Sequence, residues 1–178
     1  MTKDASVEKL LAKDEIRDII VAYCRGIDRG DHELVRTAFH EDATLDYGVF
    51  SGSAAMFIDY AVEALATMGP TAHNITNCTI VVSGEEAESE SYAVCVHTRV
   101  PRDGGLIDWI SGVRYLDRFA RREGEWRIVA RRVVFDWEQN LPVTENRPEG
   151  AQPIGRRDSS DFVYAFLPRL MRSGTNSR

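Results

Sequence analysis

The chain has 178 residues, 43% of them hydrophobic and 28% charged, with a formal net charge of -6. That composition suits one domain with a real core, and the absence of a basic block argues against a nucleic-acid partner. Three widely spaced cysteines, Cys24, Cys78 and Cys95, argue against a disulfide framework or a structural zinc site.

In chain order, residues 6–28 read as a helix. Val7, Leu10, Leu11, Ile16, Ile19, Ile20 and Tyr23 recur close to helical spacing, and Ser6 suits the N-cap. Asp28-Arg29-Gly30-Asp31 breaks this helix, and Asp31 caps a second short one over 32–39. A short strand over 43–47, a turn-rich stretch over 48–53 and an Ala-rich helix over 54–68 follow, the last closed by Gly69-Pro70. From Ala72 the period changes to that of strands, over 73–82, 87–100, 107–121 and 126–137, joined by hairpin-type connections. Helices first, then an antiparallel meander, is an α+β arrangement with helices on one face of the sheet. The tail from Asn140 holds Pro142, Pro148, Pro153, Gly150 and Gly155 and reads as an extended arm with a short helix within 159–170. The expected division is a cone domain over 1–140 and an arm over 141–178 that covers its own pocket or reaches a partner subunit.

The first ten residues are charged and read as neither signal peptide nor anchor. No stretch approaches the roughly 20 apolar residues that span a bilayer. The expectation is a reducing cytoplasm and no membrane partner. There is no His-x-x-x-His, no Gly-rich phosphate loop and no serine in a nucleophile-elbow context, so no metal or cofactor is expected.

Several strings resemble one family. Tyr23-Cys24-Arg25-Gly26-Ile27-Asp28-Arg29-Gly30-Asp31 is similar to the end of the first helix in SnoaL-like proteins of the nuclear-transport-factor-2-like superfamily. Phe39-His40-Glu41-Asp42-Ala43 resembles their lead into the first strand. Tyr115-Leu116-Asp117-Arg118-Phe119 with Gly124-Glu125-Trp126-Arg127-Ile128 resembles their final hairpin. The Gly-x-Trp hairpin is structural and common, so the weight lies in the joint order, over about residues 7–137. The resemblance implies a curved antiparallel sheet that forms, with the N-terminal helices, a cone around a pocket (a cystatin-like roll). The most similar branch includes scytalone dehydratase, hexachlorocyclohexane dehydrochlorinase and bile-acid 7α-dehydratase, cofactor-free lyases with an Asp–His dyad.

Carried over by position, the resemblance makes His73 and Asp28 the catalytic pair. It puts Tyr23, Tyr47, His97 and Arg131 on the substrate. His73 would be the base, worth on the order of 10²–10⁴-fold. Asp28 would fix its tautomer and stabilise the imidazolium. The tyrosines would donate to a carbonyl or leaving hydroxyl, and Arg131 would stabilise developing negative charge.

Each residue has a plainer reading. Asp28 alone is a capping or solvated residue, His73 a polar residue at a strand start, and His97 a satisfied core histidine. Arg131 pairs with Asp136 or Asp117, and Tyr23 packs in the core. The leading function is a lyase or isomerase that takes a proton from carbon of a hydrophobic cyclic substrate, with dehydration ahead of isomerisation or polyketide ring closure. The competing function is a non-catalytic small-molecule-binding or assembly domain, such as a dioxygenase β subunit. A hydrogen bond between Asp28 and His73 inside an apolar cavity would favour the enzyme. A homodimer or homotrimer is expected, formed through the exposed sheet face.

Overall fold

The computed structural model describes residues 3–101, 104–143 and 155–172. Helix α1 (Lys3–Arg29) buries Ile16, Ile20, Tyr23, Cys24 and Ile27, which lie three or four positions apart on one stripe. The stripe expected to start at Val7 starts at Ala12. Val7, Leu10 and Leu11 are exposed because nothing among the described residues covers those first turns.

Gly30, at a φ of 65°, turns the chain after α1. Asp31 then caps α2 (His32–Thr37) by accepting the Leu34 N–H at 3.0 Å, as the sequence suggests. This helix stops short of residue 39 because Phe39 opens strand β1 (Phe39–Asp46), earlier than the strand expected from 43. The buried Phe39 ring meets Tyr23 edge-on at 5.8 Å. Within the expected turn lies a short strand, β2 (Ser51–Ser53), antiparallel to β1. Ser53 then caps α3 (Ala54–Ala66), accepting the Met56 N–H at 3.3 Å.

Four long strands follow: β3 (Thr71–Ser83), β4 (Glu86–Arg99), β5 (Ile107–Arg122) and β6 (Glu125–Pro142). The six-stranded sheet has the order β2-β1-β6-β5-β4-β3. Its pairs are antiparallel except β1 with β6, which is parallel. The meander reading did not contain that pair, since β1 reaches β6 only after α3 and three hairpins. Irregularities at Ile75/Cys78, Gly112/Val113 and Arg118/Phe119 break the register, and such bulges bend and twist a sheet. The curved sheet closes on α1 and α3 as an α+β cone, with Leu45, Tyr115, Phe119 and Ile128 buried inside.

Strand β6 runs past the boundary expected at 140, and residues 144–154 of the expected arm lie outside the described residues. Beyond them, two short helices, α4 (Phe162–Phe166) and α5 (Pro168–Arg172), stand where one was expected. Arg157 ties this segment to the cone: its Nη1 donates to the Leu65 carbonyl near the C-terminus of α3, at 2.8 Å. No helix among the described residues is long and apolar enough to cross a membrane.

Gly26 sets the approach of α2 to α1. A Cβ there would lie 2.7 Å from Val35 Cγ2 and 3.0 Å from the Asp31 carbonyl oxygen. Alanine gains roughly 1 kcal/mol of helix propensity over glycine, but overpacking costs about 1–3 kcal/mol, and here two of the atoms met are backbone. Gly26→Ala is expected to lower the urea midpoint, with a net loss of about 1 kcal/mol.

Candidate active site

A cavity of about 610 Å³ opens between α1, α3 and the inner sheet face, and its lining is mainly apolar. Alternation along the strands builds the wall. Strand β3 contributes His73, β4 contributes Cys95, His97 and Arg99, and β5 contributes Trp109, Ser111, Val113 and Tyr115. The helix side contributes Tyr23, Ile27 and Phe57, and Tyr47 follows β1. A larger groove of about 820 Å³ is lined by Asp46, Glu88, Glu90, Arg118 and Arg132, with the buried Asp117 and Arg131 also in its lining.

Asp28 lies in the last turn of α1 and His73 near the start of β3, and the fold brings them together. Asp28 Oδ1 is 2.7 Å from His73 Nδ1. The same carboxylate accepts the Thr71 hydroxyl at 2.9 Å and the His73 backbone N–H at 2.9 Å. Both side chains are largely shielded, 17% and 6% exposed. Burial raises the pKa of Asp28, but the His73 and Thr71 hydrogen bonds and the His73 charge outweigh it and hold the carboxyl below its ordinary value. Burial pushes His73 down, while the hydrogen bonds of Asp28 and Cys95 push it up, and the balance is about 9. His73 therefore rests as an imidazolium against a carboxylate.

His97 behaves oppositely. Its ring stands edge-on to His73 at 5.0 Å, and its buried Nδ1 has no partner among the described residues. Burial, with the charges of His73 and Arg99, lowers its pKa to about 3, so it is neutral. Tyr23 and Tyr47 share a hydroxyl–hydroxyl hydrogen bond of 2.8 Å. Burial raises both pKa values, so both are neutral phenols.

Arg131, expected on the substrate, does not line this cavity. Its Nε and Nη2 donate to the two oxygens of Asp117 at 2.7 and 2.8 Å, both side chains being fully buried. Its guanidinium lies 4.2 Å from the Tyr23 ring centre and 4.5 Å from that of Tyr115. Of the two acids considered for pairing, Asp117 is the partner of Arg131, while Asp136 pairs with Arg114. The structure explains the difference: Arg131 and Asp117 face each other across β5 and β6 in register, behind the tyrosines.

The profile of the SnoaL-like domain matches residues 8–132. The chain belongs to the SnoaL-like domain family. Solved structures agree on the fold of this SnoaL-like protein. A hexachlorocyclohexane dehydrochlorinase (LinA, type 2) superposes with a TM-score of 0.73 at 19% identity, covering 82% of this chain and 99% of the other. A provisionally assigned scytalone dehydratase from Novosphingobium aromaticivorans gives 0.68 at 20% identity, covering 81% and 99%. An NTF2-like protein with a cystatin-like fold from the same organism gives 0.59 at 26% identity, covering 75% and 87%. These likenesses describe the fold.

The sequence reading missed Cys95, Arg99 and Tyr115 as cavity residues. Cys95 stands opposite His73 in the β3–β4 register, and its Sγ lies 3.5 Å from the Tyr115 hydroxyl. Period-two alternation outward from His97 would have found Cys95 and Arg99 on the same face.

These buried charges have two measurable consequences for stability. Removing one partner of a buried ion pair costs about 3–5 kcal/mol, so Asp117→Asn, which strands Arg131, is expected to lower the unfolding free energy by that order in urea titration. The Asp28–His73 pair gives a pH signature. The raised His73 pKa contributes stability that is complete below 6.5 and is lost as pH climbs through about 9. The lowered Asp28 pKa contributes stability present above 3.8 and lost in acid. The Tm gap between wild type and Asp28→Asn should therefore be widest near pH 5–6 and shrink by pH 10 in thermal scans.

Proposed function

We propose that this protein is a cofactor-independent lyase or isomerase that removes a proton from carbon of a hydrophobic cyclic substrate, with His73 as base and Asp28 as its orienting partner. The observation that carries the reading is the 2.7 Å contact between Asp28 and His73 on the wall of a mainly apolar cavity. Asp28 takes the Nδ1 side of the ring, which leaves Nε2 for the substrate. In the neutral imidazole, Nδ1 keeps its proton toward Asp28 and Nε2 holds the lone pair.

The step begins when Nε2 takes a proton from the carbon next to a carbonyl. The C–H electron pair becomes an enolate, and the negative charge develops on the carbonyl oxygen. In the hydrogen-bonded pair of Tyr23 and Tyr47, one hydroxyl donates to its partner and the other donates to that oxygen. Arg131 acts from behind: its positive charge works to lower the pKa of both phenols and so strengthens them as donors. The enolate then expels a β-hydroxyl with its electron pair, and the imidazolium returns the proton to it as water. Dehydration is the preferred outcome. Isomerisation returns the same proton to another carbon, and polyketide ring closure directs the enolate at a second carbonyl. Neutral His97, with its unpartnered Nδ1, suits a hydrogen bond to the leaving oxygen.

The raised pKa of His73 has a kinetic consequence. Only the minority neutral form is a base at pH 7. A homo-oligomer built through the outer sheet face, where Val81 and Tyr92 are exposed, belongs to the same reading.

The test works without identifying the natural substrate. Deuterium exchange into the α-carbon of a panel of cyclic ketones in D₂O, followed by NMR, reads proton abstraction directly. Wild type should exchange at least one member, with a rate rising about tenfold per pH unit up to about 9. His73→Ala and Asp28→Asn, checked for folding, should lose on the order of 10²-fold or more. Unchanged exchange in both variants overturns the role assignment. Binding without exchange by wild type favours the small-molecule-binding domain.

A further inference from the structure

The cavity holds a cation that this mechanism does not use. Arg99 lies two residues beyond His97 on the same face of β4 and lines the cavity. Its guanidinium carbon stands 3.7 Å from the centre of the Trp109 ring. Stacking of this kind occupies the flat face of a guanidinium and leaves its edge of N–H donors for a ligand. The Nε is buried and has no acceptor among the described residues. The neighbouring acid, Glu138, accepts the Trp109 Nε1–H at 3.0 Å. Arg131, outside this cavity, gives its Nε and Nη2 to Asp117 and keeps only a buried Nη1 without a partner among the described residues.

A buried donor without an acceptor is costly unless a ligand supplies one. The wall runs from the base to this cation in short steps: His73 to His97 at 5.0 Å, His97 to Trp109 at 5.1 Å, then Arg99 stacked on Trp109. Phe135 extends the aromatic wall, stacked on Trp109 at 6.3 Å.

We propose that the cavity takes a hydrophobic ring compound bearing a carboxylate, and that Arg99 binds this carboxylate at the far end of the wall from His73. The proposal deepens the reading above and rests on it for the choice of cavity. A planar monoanion matches the guanidinium fork in a bidentate way. One cation beside Glu138 is poorly matched to a phosphate dianion, and a neutral group could not fill the donor fork with two charged oxygens.

The experiment is isothermal titration with 2-naphthoate and its neutral isostere 2-naphthamide. Wild type should prefer naphthoate by about tenfold. Arg99→Gln and Arg99→Met, two independent ways to remove the charge, should abolish the preference, and Arg99→Lys should keep part of it. His73→Ala should keep the preference, whatever becomes of its deuterium exchange. Equal affinities in wild type, tighter binding of the amide, no binding of naphthoate, or a preference that survives in Arg99→Gln would overturn the proposal. Failure of the catalytic reading would show instead as undiminished exchange by His73→Ala, so the two failures are distinct.

Discussion

The carboxylate of Asp28 joins the helical half of the molecule to the sheet. It accepts from the Thr71 hydroxyl, from the His73 backbone and from the His73 ring. A shielded carboxylate is costly unless its lone pairs are filled, and these three donors come from one short stretch of β3. The end of α1 is thereby fixed to the start of the first long strand, and the cavity between them acquires a definite edge. Because one acceptor takes both the backbone and the ring of His73, strand position and ring orientation are set together. Gly26, two residues earlier, lets α2 pack close beside the same turn.

A second buried charge group stands behind the site. Arg131 and Asp117 neutralise one another across β5 and β6. A buried pair of this kind is a weak source of net stability, because desolvation consumes most of the attraction. Its effect on the cavity is positional. The guanidinium packs on Tyr23 and Tyr115, and Tyr23 in turn holds Tyr47 by its hydroxyl. The two phenols are thus backed by a positive charge that solvent does not reach.

Two histidines with ring centres 5.0 Å apart end in opposite states. Burial lowers the pKa of both. His73 has a carboxylate on its Nδ1, which more than reverses the effect, whereas His97 has no such partner and is further disfavoured by the positive charges of His73 and Arg99. Neighbouring titratable groups pushed apart in this way form a common arrangement for dividing acid–base roles. The same wall continues to Trp109 and Arg99, so charge, aromatic surface and base lie along one side of the cavity.

Much of this was legible in the chain itself. Apolar spacing gave α1, α3 and the four long strands. Asp31 after Gly30 gave the start of α2, because capping is a local property of one side chain and the next few N–H groups. The resemblance placed Asp28 and His73 as a pair, though neither residue announces itself by spacing. What needed the tertiary structure were the pairings that join distant segments. The parallel contact of β1 with β6, the burial of Arg131 against Asp117, and the presence of Cys95, Arg99 and Trp109 in the same cavity as His73 all depend on which strands become neighbours and where bulges shift the register. Local periodicity sets which face of an element is apolar, but which polar groups meet on that face is decided only when the sheet closes on the helices.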